Sequence, residues 1–105
     1  MRVTIFSQEG KFISSFPIQG WNSDSMDNKP YIAVDSEGRV FVTDPEGYRV
    51  LVFSPNGDPL FVFGKYGPED NAFGFPNGVA LDSTGALWIA DAGNNRLERF
   101  SLKQP

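Results

Sequence analysis

The chain has 105 residues, enough for one small domain, and its 40% hydrophobic and 21% charged content excludes a disordered segment. The net charge is −4 and the nine basic residues are scattered, so the chain lacks the Lys/Arg cluster that a nucleic-acid binder needs for phosphate contacts. Cys and His are absent, which excludes disulfides, thiol catalysis, zinc sites of the usual ligand types and any triad built on histidine.

Met1 and Arg2 run straight into Val3-Thr4-Ile5-Phe6, so no signal peptide of normal form opens this stretch. No segment reaches the roughly 18 apolar residues of a membrane span, so direct membrane insertion is not expected. Residues 2–16 read as two strands around the turn Ser7-Gln8-Glu9-Gly10. A long loop, Pro17–Lys29, follows, with Trp21, Asn22 and Asp24 among its residues. That mixture suits sugar stacking or cation coordination, or simply the packing of Trp21 on a neighbouring sheet.

Residues 31–63 read as four strands, a to d: Tyr31–Val34, Arg39–Thr43, Arg49–Phe53 and Leu60–Phe63. Asp35-Ser36-Glu37-Gly38, Asp44-Pro45-Glu46-Gly47 and Ser54-Pro55-Asn56-Gly57 supply the turns between them. A second long loop, Gly64–Pro76, carries Tyr66, Glu69, Asp70, Asn71 and Phe73. Residues 79–102 then supply strands a, b and c again. No window has a helical period of any length.

These segments repeat every 47 residues, without a gap, and 12 of the 47 positions in residues 2–48 recur in 49–95. Arg2, Arg49 and Arg96 are equivalent, as are Phe6, Phe53 and Phe100. So are Asp35 with Asp82, and Asp44 with Asp91. The strands are apolar on both faces, as in Val40-Phe41-Val42 and Leu60-Phe61-Val62-Phe63. An antiparallel sheet with one wet face would alternate. Four-stranded antiparallel sheets covered on both faces are the blades of a β-propeller.

The stretch Pro76-Asn77-Gly78-Val79-Ala80-Leu81-Asp82, with Gly85, Leu87-Trp88-Ile89-Ala90-Asp91 and Asn94-Asn95-Arg96-Leu97, resembles an NHL repeat almost end to end. The central copy departs from that pattern at Tyr31, in place of Gly, and at Gly47, in place of Asn. The resemblance implies an all-β partial β-propeller of about two and a quarter NHL-type blades. Residues 2–16 would be strands c and d of the first blade, 31–63 a complete second blade, and 79–102 strands a, b and c of a third. A six-bladed ring is the expected parent. Asn28-Lys29-Pro30-Tyr31-Ile32-Ala33-Val34-Asp35 and Val42-Thr43-Asp44-Pro45-Glu46-Gly47-Tyr48-Arg49-Val50-Leu51-Val52-Phe53 are also similar to C-terminal propeller repeats of large bacterial glycosyltransferase-like membrane proteins. That narrower likeness implies a membrane-anchored parent with this part outside the cell.

The function this implies is a non-catalytic scaffold that binds a protein, glycan or small ligand, with no cofactor. The alternative from the same family is part of a metal-dependent, lactonase-like hydrolase, for which Asn77 at the inner end of strand a is the one candidate ligand. RNA binding is the remote alternative, disfavoured by the charge. Loops vary while the scaffold repeats, so the binding candidates are the loop residues Trp21, Asn22, Asp24, Tyr48, Tyr66, Asn77, Asn94 and Asn95. Asp44 with Arg49 and Asp91 with Arg96 recur five residues apart, which marks them as ion pairs pinning the b–c hairpins. Asp35 and Asp82 are expected to cap Asx-type turns.

Sheet faces left open at the two ends invite association, with further blades or with copies of the chain. At the C-terminal end the expected open face contains Val79, Leu81, Leu87, Ile89 and Leu97.

Overall fold

A computed structural model describes residues 1–21 and 28–102. Among these residues are nine strands in three antiparallel sheets, and a single short 3₁₀ turn at Ala92–Asn94. β1 (Arg2–Phe6) pairs with β2 (Phe12–Pro17). β3 (Ile32–Val34), β4 (Val40–Asp44), β5 (Arg49–Phe53) and β6 (Pro59–Phe63) form a four-stranded meander in chain order. β7 (Pro76–Leu81), β8 (Leu87–Asp91) and β9 (Arg96–Phe100) form the third sheet. Successive antiparallel meanders stacked face to face, with an apolar core between each pair, are the arrangement of β-propeller blades.

The 47-residue period survives into the pairing. Asp44 lies opposite Arg49 in the middle sheet and Asp91 opposite Arg96 in the third. The c–d turns close on Gly10 and Gly57, whose φ of 85° and 91° explains glycine at both places. β3 is one residue shorter than its sequence suggests, because the Tyr31 N–H is taken by the Thr43 hydroxyl at 3.0 Å.

Two apolar cores lie between the sheets. Val3, Phe16 and Ile18 of the first meet Val40, Val42, Leu51 and Phe53 of the second. Phe41, Val50 and Val52, on the opposite face of the second sheet, meet Phe73, Leu87 and Ile89, with Val79, Leu81 and Phe100 at the margin. The two central strands of the middle sheet, β4 and β5, are thus covered on both faces, which is why they show no polar alternation. Strand alternation divides the side chains of β4 and β5 between the two cores.

That alternation corrects the expectation for the C-terminal face. Val79, Leu81, Leu87 and Ile89 point into the second core, not outward. By strand pairing, the outward face carries Ala80, Trp88, Ala90, Leu97 and Arg99. Arg99 lies over the Trp88 ring at 6.0 Å, and Asp82 accepts the Trp88 indole N–H at 2.9 Å. This face is therefore partly polar and self-bonded.

The incomplete end sheets leave parts of the middle one uncovered. Ile32 and Val34 share the face of Val42 and Val40, toward a first sheet that has only its two outer strands, and both are more than half exposed. Phe61 shares the face of Val52, toward the third sheet, which has three strands among the described residues, and is exposed as well.

Candidate functional site

The two b–c loops and the d–a loop of residues 64–76 meet on one rim. Each b–c loop turns through a left-handed residue at the same repeat position: Tyr48 with φ 59° and Asn95 with φ 54°. Asn tolerates that conformation, whereas a bulky aromatic rarely adopts it.

Asp91 organises the rim. It is fully buried, and its carboxylate accepts the N–H groups of Gly74 at 2.9 Å and Phe75 at 2.8 Å and the Asn94 amide at 2.8 Å. Asn94 also donates to the Gly67 carbonyl at 2.9 Å. Arg96 donates to the carbonyls of Pro68, Glu69 and Ala72 at 2.7 to 2.9 Å, and its Nε lies 3.7 Å from Asp91. Asp91 and Arg96 therefore clamp the entering d–a loop from its N–H and its C=O sides. Their bonds reach well outside the b–c hairpin, to which the five-residue spacing alone would confine them. Gly74 and Gly93 permit the approach, since a Cβ on either would collide with the backbone of the other.

In the middle sheet the same pair works more locally. Asp44 accepts the Gly47 N–H at 3.1 Å and Arg49 Nε at 2.8 Å, and Arg49 reaches the Gly20 carbonyl of the preceding d–a loop. Gly47 stands where Asn94 stands in the next repeat, and a Cβ there would strike the Asp44 carboxylate.

The rim separates the binding candidates. Tyr48 and Tyr66, from a b–c loop and a d–a loop, come together edge to face with ring centroids 4.8 Å apart, and Tyr66 is 71% exposed. Asn95 is exposed at its left-handed corner. Asn94 is held by Asp91 and Gly67 and has no amide hydrogen to spare. The Asn77 side chain folds onto the Gly78 N–H at 2.7 Å, while its carbonyl accepts the Thr43 hydroxyl at 2.7 Å. Trp21 packs half-buried on the first core, and its indole N–H meets no acceptor among the described residues. Asn22 and Asp24 lie outside the described residues.

The opposite rim holds a cleft of about 510 Å³ between the a–b turns of the second and third sheets, lined in part by Asp35, Arg39, Asp82 and Thr84. Its carboxylates are committed to the turns. Asp82 Oδ1 accepts the Thr84 and Ala86 N–H groups at 2.8 and 3.0 Å, and Asp35 Oδ1 accepts those of Glu37 and Arg39 at 3.0 and 2.8 Å. The Thr84 hydroxyl, then the Trp88 N–H, hold the Asp82 carboxyl well below the usual range. Burial opposes charge on Asp35, but the backbone and side chain of Arg39 outweigh it and its carboxyl is also lowered. Among the described residues no three Asp or Glu are grouped to hold a metal ion.

Two further positions matter that the repeat pattern does not point to. Thr43 makes the inter-sheet bond to Asn77, and its repeat equivalent is Ala90. Glu98 replaces the core residue Leu51, and its carboxyl is raised by burial, with Arg96 opposing. Comparing repeats for breaks in pattern, and not for matches, singles out both.

The NHL repeat family model matches residues 73–100. Mouse NHL repeat-containing protein 3 is 33% identical over 84 residues, covering 77% of this chain and 24% of the relative. The human protein of that name is 32% identical over 82 residues, again 24% of its length. Human NHL-repeat-containing protein 4 is 30% identical over 81 residues, covering 77% of this chain and 61% of the relative. The chain thus spans about a quarter of the length of the first two relatives.

Proposed function

The chain belongs to the NHL-repeat proteins, and from that premise we propose that it is a non-catalytic segment of a larger propeller whose b–c and d–a rim binds a protein partner. The observation that carries this reading is the Tyr48–Tyr66 pair. An aromatic in the left-handed region costs backbone energy that Asn, its repeat equivalent, would avoid. Its ring packs against the exposed Tyr66. Rigid, exposed tyrosines bring large contact area at low entropy cost, and they are enriched among the residues that dominate protein interfaces.

A photo-crosslinker placed at position 66, compared with one at Ser14 on the first sheet, identifies the partner by mass spectrometry. Binding of that partner should weaken at least tenfold in Tyr66→Ala with the far-UV dichroism unchanged. A partner indifferent to Tyr66, or metal-dependent lactone hydrolysis by the purified chain, would sink the proposal.

A further inference from the structure

We propose that Tyr48 and Tyr66 form a site of oxidative cross-linking, at which a peroxidase-type oxidant joins the two rings by a carbon–carbon bond and staples the b–c loop to the d–a loop. The inference does not depend on what the rim binds. The ring centroids lie 4.8 Å apart with the planes at 63°, so the edge of one ring meets the other and a small ring rotation brings their ortho carbons together. Both backbones are fixed. Tyr48 sits at the left-handed corner between β4 and β5. Tyr66 is bridged to Phe73, whose N–H donates to the Lys65 carbonyl at 2.7 Å and whose carbonyl accepts the Gly67 N–H at 3.1 Å. Gly64, with φ 107°, lets the d–a loop leave β6 hard against the b–c loop, since a Cβ there would lie 2.8 Å from the Tyr48 carbonyl. Two reactive groups held in contact by separate elements react with each other ahead of encounters between molecules.

The redox setting favours the phenols. Cysteine, which would be oxidised first, is absent from the chain. Tyr66 is 71% exposed and open to an oxidant too large to enter the core, and Tyr48 is half-buried against it. Tyr31 is also exposed but meets no other ring among the described residues, so a radical formed there has no partner within the chain. In the reaction each phenol gives up one electron and its hydroxyl proton. The two phenoxyl radicals join at a carbon ortho to each oxygen. The hydrogen on each joined carbon then moves to the oxygen, which restores two phenols. Two electrons and two protons pass to hydrogen peroxide, which becomes two waters. The bridge closes residues 48–66 into a covalent loop, the constraint that a disulfide supplies in chains that have cysteine.

The test treats the whole 105-residue chain, at low concentration, with a haem peroxidase and hydrogen peroxide. The monomer fraction should gain the blue fluorescence of a biphenol and lose the mass of two hydrogen atoms. Tryptic digestion should then release peptide 40–49 joined to peptide 66–96. Tyr48→Phe and Tyr66→Phe keep the rings but remove the phenolic hydrogen, and each should abolish the link. Tyr31→Phe should leave its yield unchanged. In urea the two rings lose their fixed contact, so the yield within one chain should fall about tenfold, scaled to the coupling of free tyrosine measured separately in the same urea. The proposal is overturned by the absence of the link, by a link that maps to Tyr31, by products formed mainly between chains, or by equal scaled yields with and without urea.

Discussion

Replacing Asp91 tests whether one buried carboxylate holds the third sheet to its loop. In Asp91→Ala the N–H groups of Gly74 and Phe75 and the Asn94 amide lose their acceptor. Asp91 itself is 0% exposed, so water cannot replace it without opening the rim. At about 1–3 kcal/mol for each buried group left unpaired, and allowing for partial hydration, the loss should be about 3–5 kcal/mol. Asp44→Ala is the control. Among the described residues its carboxylate serves one backbone N–H and Arg49, whose side chain is 27% exposed and can rehydrate, so about 1–2 kcal/mol is expected. With a urea m-value of roughly 1–2 kcal/mol per molar, the two variants should differ in midpoint by about 1–2 M. Circular dichroism during urea titration measures this. Equal losses would show that the loop clamp adds nothing to the hairpin contact. Asp91→Asn, which keeps one acceptor oxygen, should fall between them if the full truncation does not fold.

Thr43→Val keeps the shape but removes the hydroxyl bonded to the Asn77 carbonyl between sheets, and should cost about 1–2 kcal/mol in the same titration. Tyr48→Asn should raise stability by about 0.5–1 kcal/mol by relieving the left-handed tyrosine, while weakening rim binding; a loss of stability would mean that the Tyr66 contact outweighs the strain. On acidification two opposite effects are expected. Glu98 is raised above its ordinary value of 4.5, so the folded chain takes up its proton first and is stabilised as pH falls through the raised value. Asp35 and Asp82 are lowered from 3.8, so their contribution is present above that value and is lost as pH falls below it. Thermal melts between pH 7 and pH 3 should therefore rise slightly before they fall, and Glu98→Gln should remove the rise.

Period and turn chemistry make the sheets legible in the sequence alone. A gapless 47-residue repeat with glycine at each turn leaves little freedom for strand placement, and β5 lies at Arg49–Phe53 as its sequence indicates. The rim is less legible, because its bonds are contributed by loops whose paths the repeat does not specify. Arg96 reaches carbonyls 24 to 28 residues away, and no spacing in the sequence points to Pro68 or Ala72. Tyr48 and Tyr66 are visible as loop aromatics, but their meeting depends on the left-handed turn at Tyr48, where sequence alone favours Gly or Asn.

The two ends of the segment differ in kind, and the difference bears on how it is used. At the first sheet, Phe6 and Phe12 pack against each other with centroids 6.5 Å apart and remain 58% and 64% exposed, and by strand alternation Thr4 and Ser15, paired on the face opposite Val3 and Phe16, lie on the outward side. At the third sheet the outward tryptophan already has an acceptor in Asp82, and Arg99 spans its ring, Asp82 and Thr84. Burying that face against plain hydrocarbon would strand those charges, which costs more than the area gained. A neighbour on this side must bring polar partners to the Arg99–Trp88–Asp82 cluster, whereas one at the first sheet meets two exposed phenylalanines beside Thr4 and Ser15. The two faces are therefore poor complements for each other, and simple head-to-tail stacking of identical copies is disfavoured by the sequence itself. Sedimentation at rising concentration would show linear oligomers growing without limit if this reasoning were wrong.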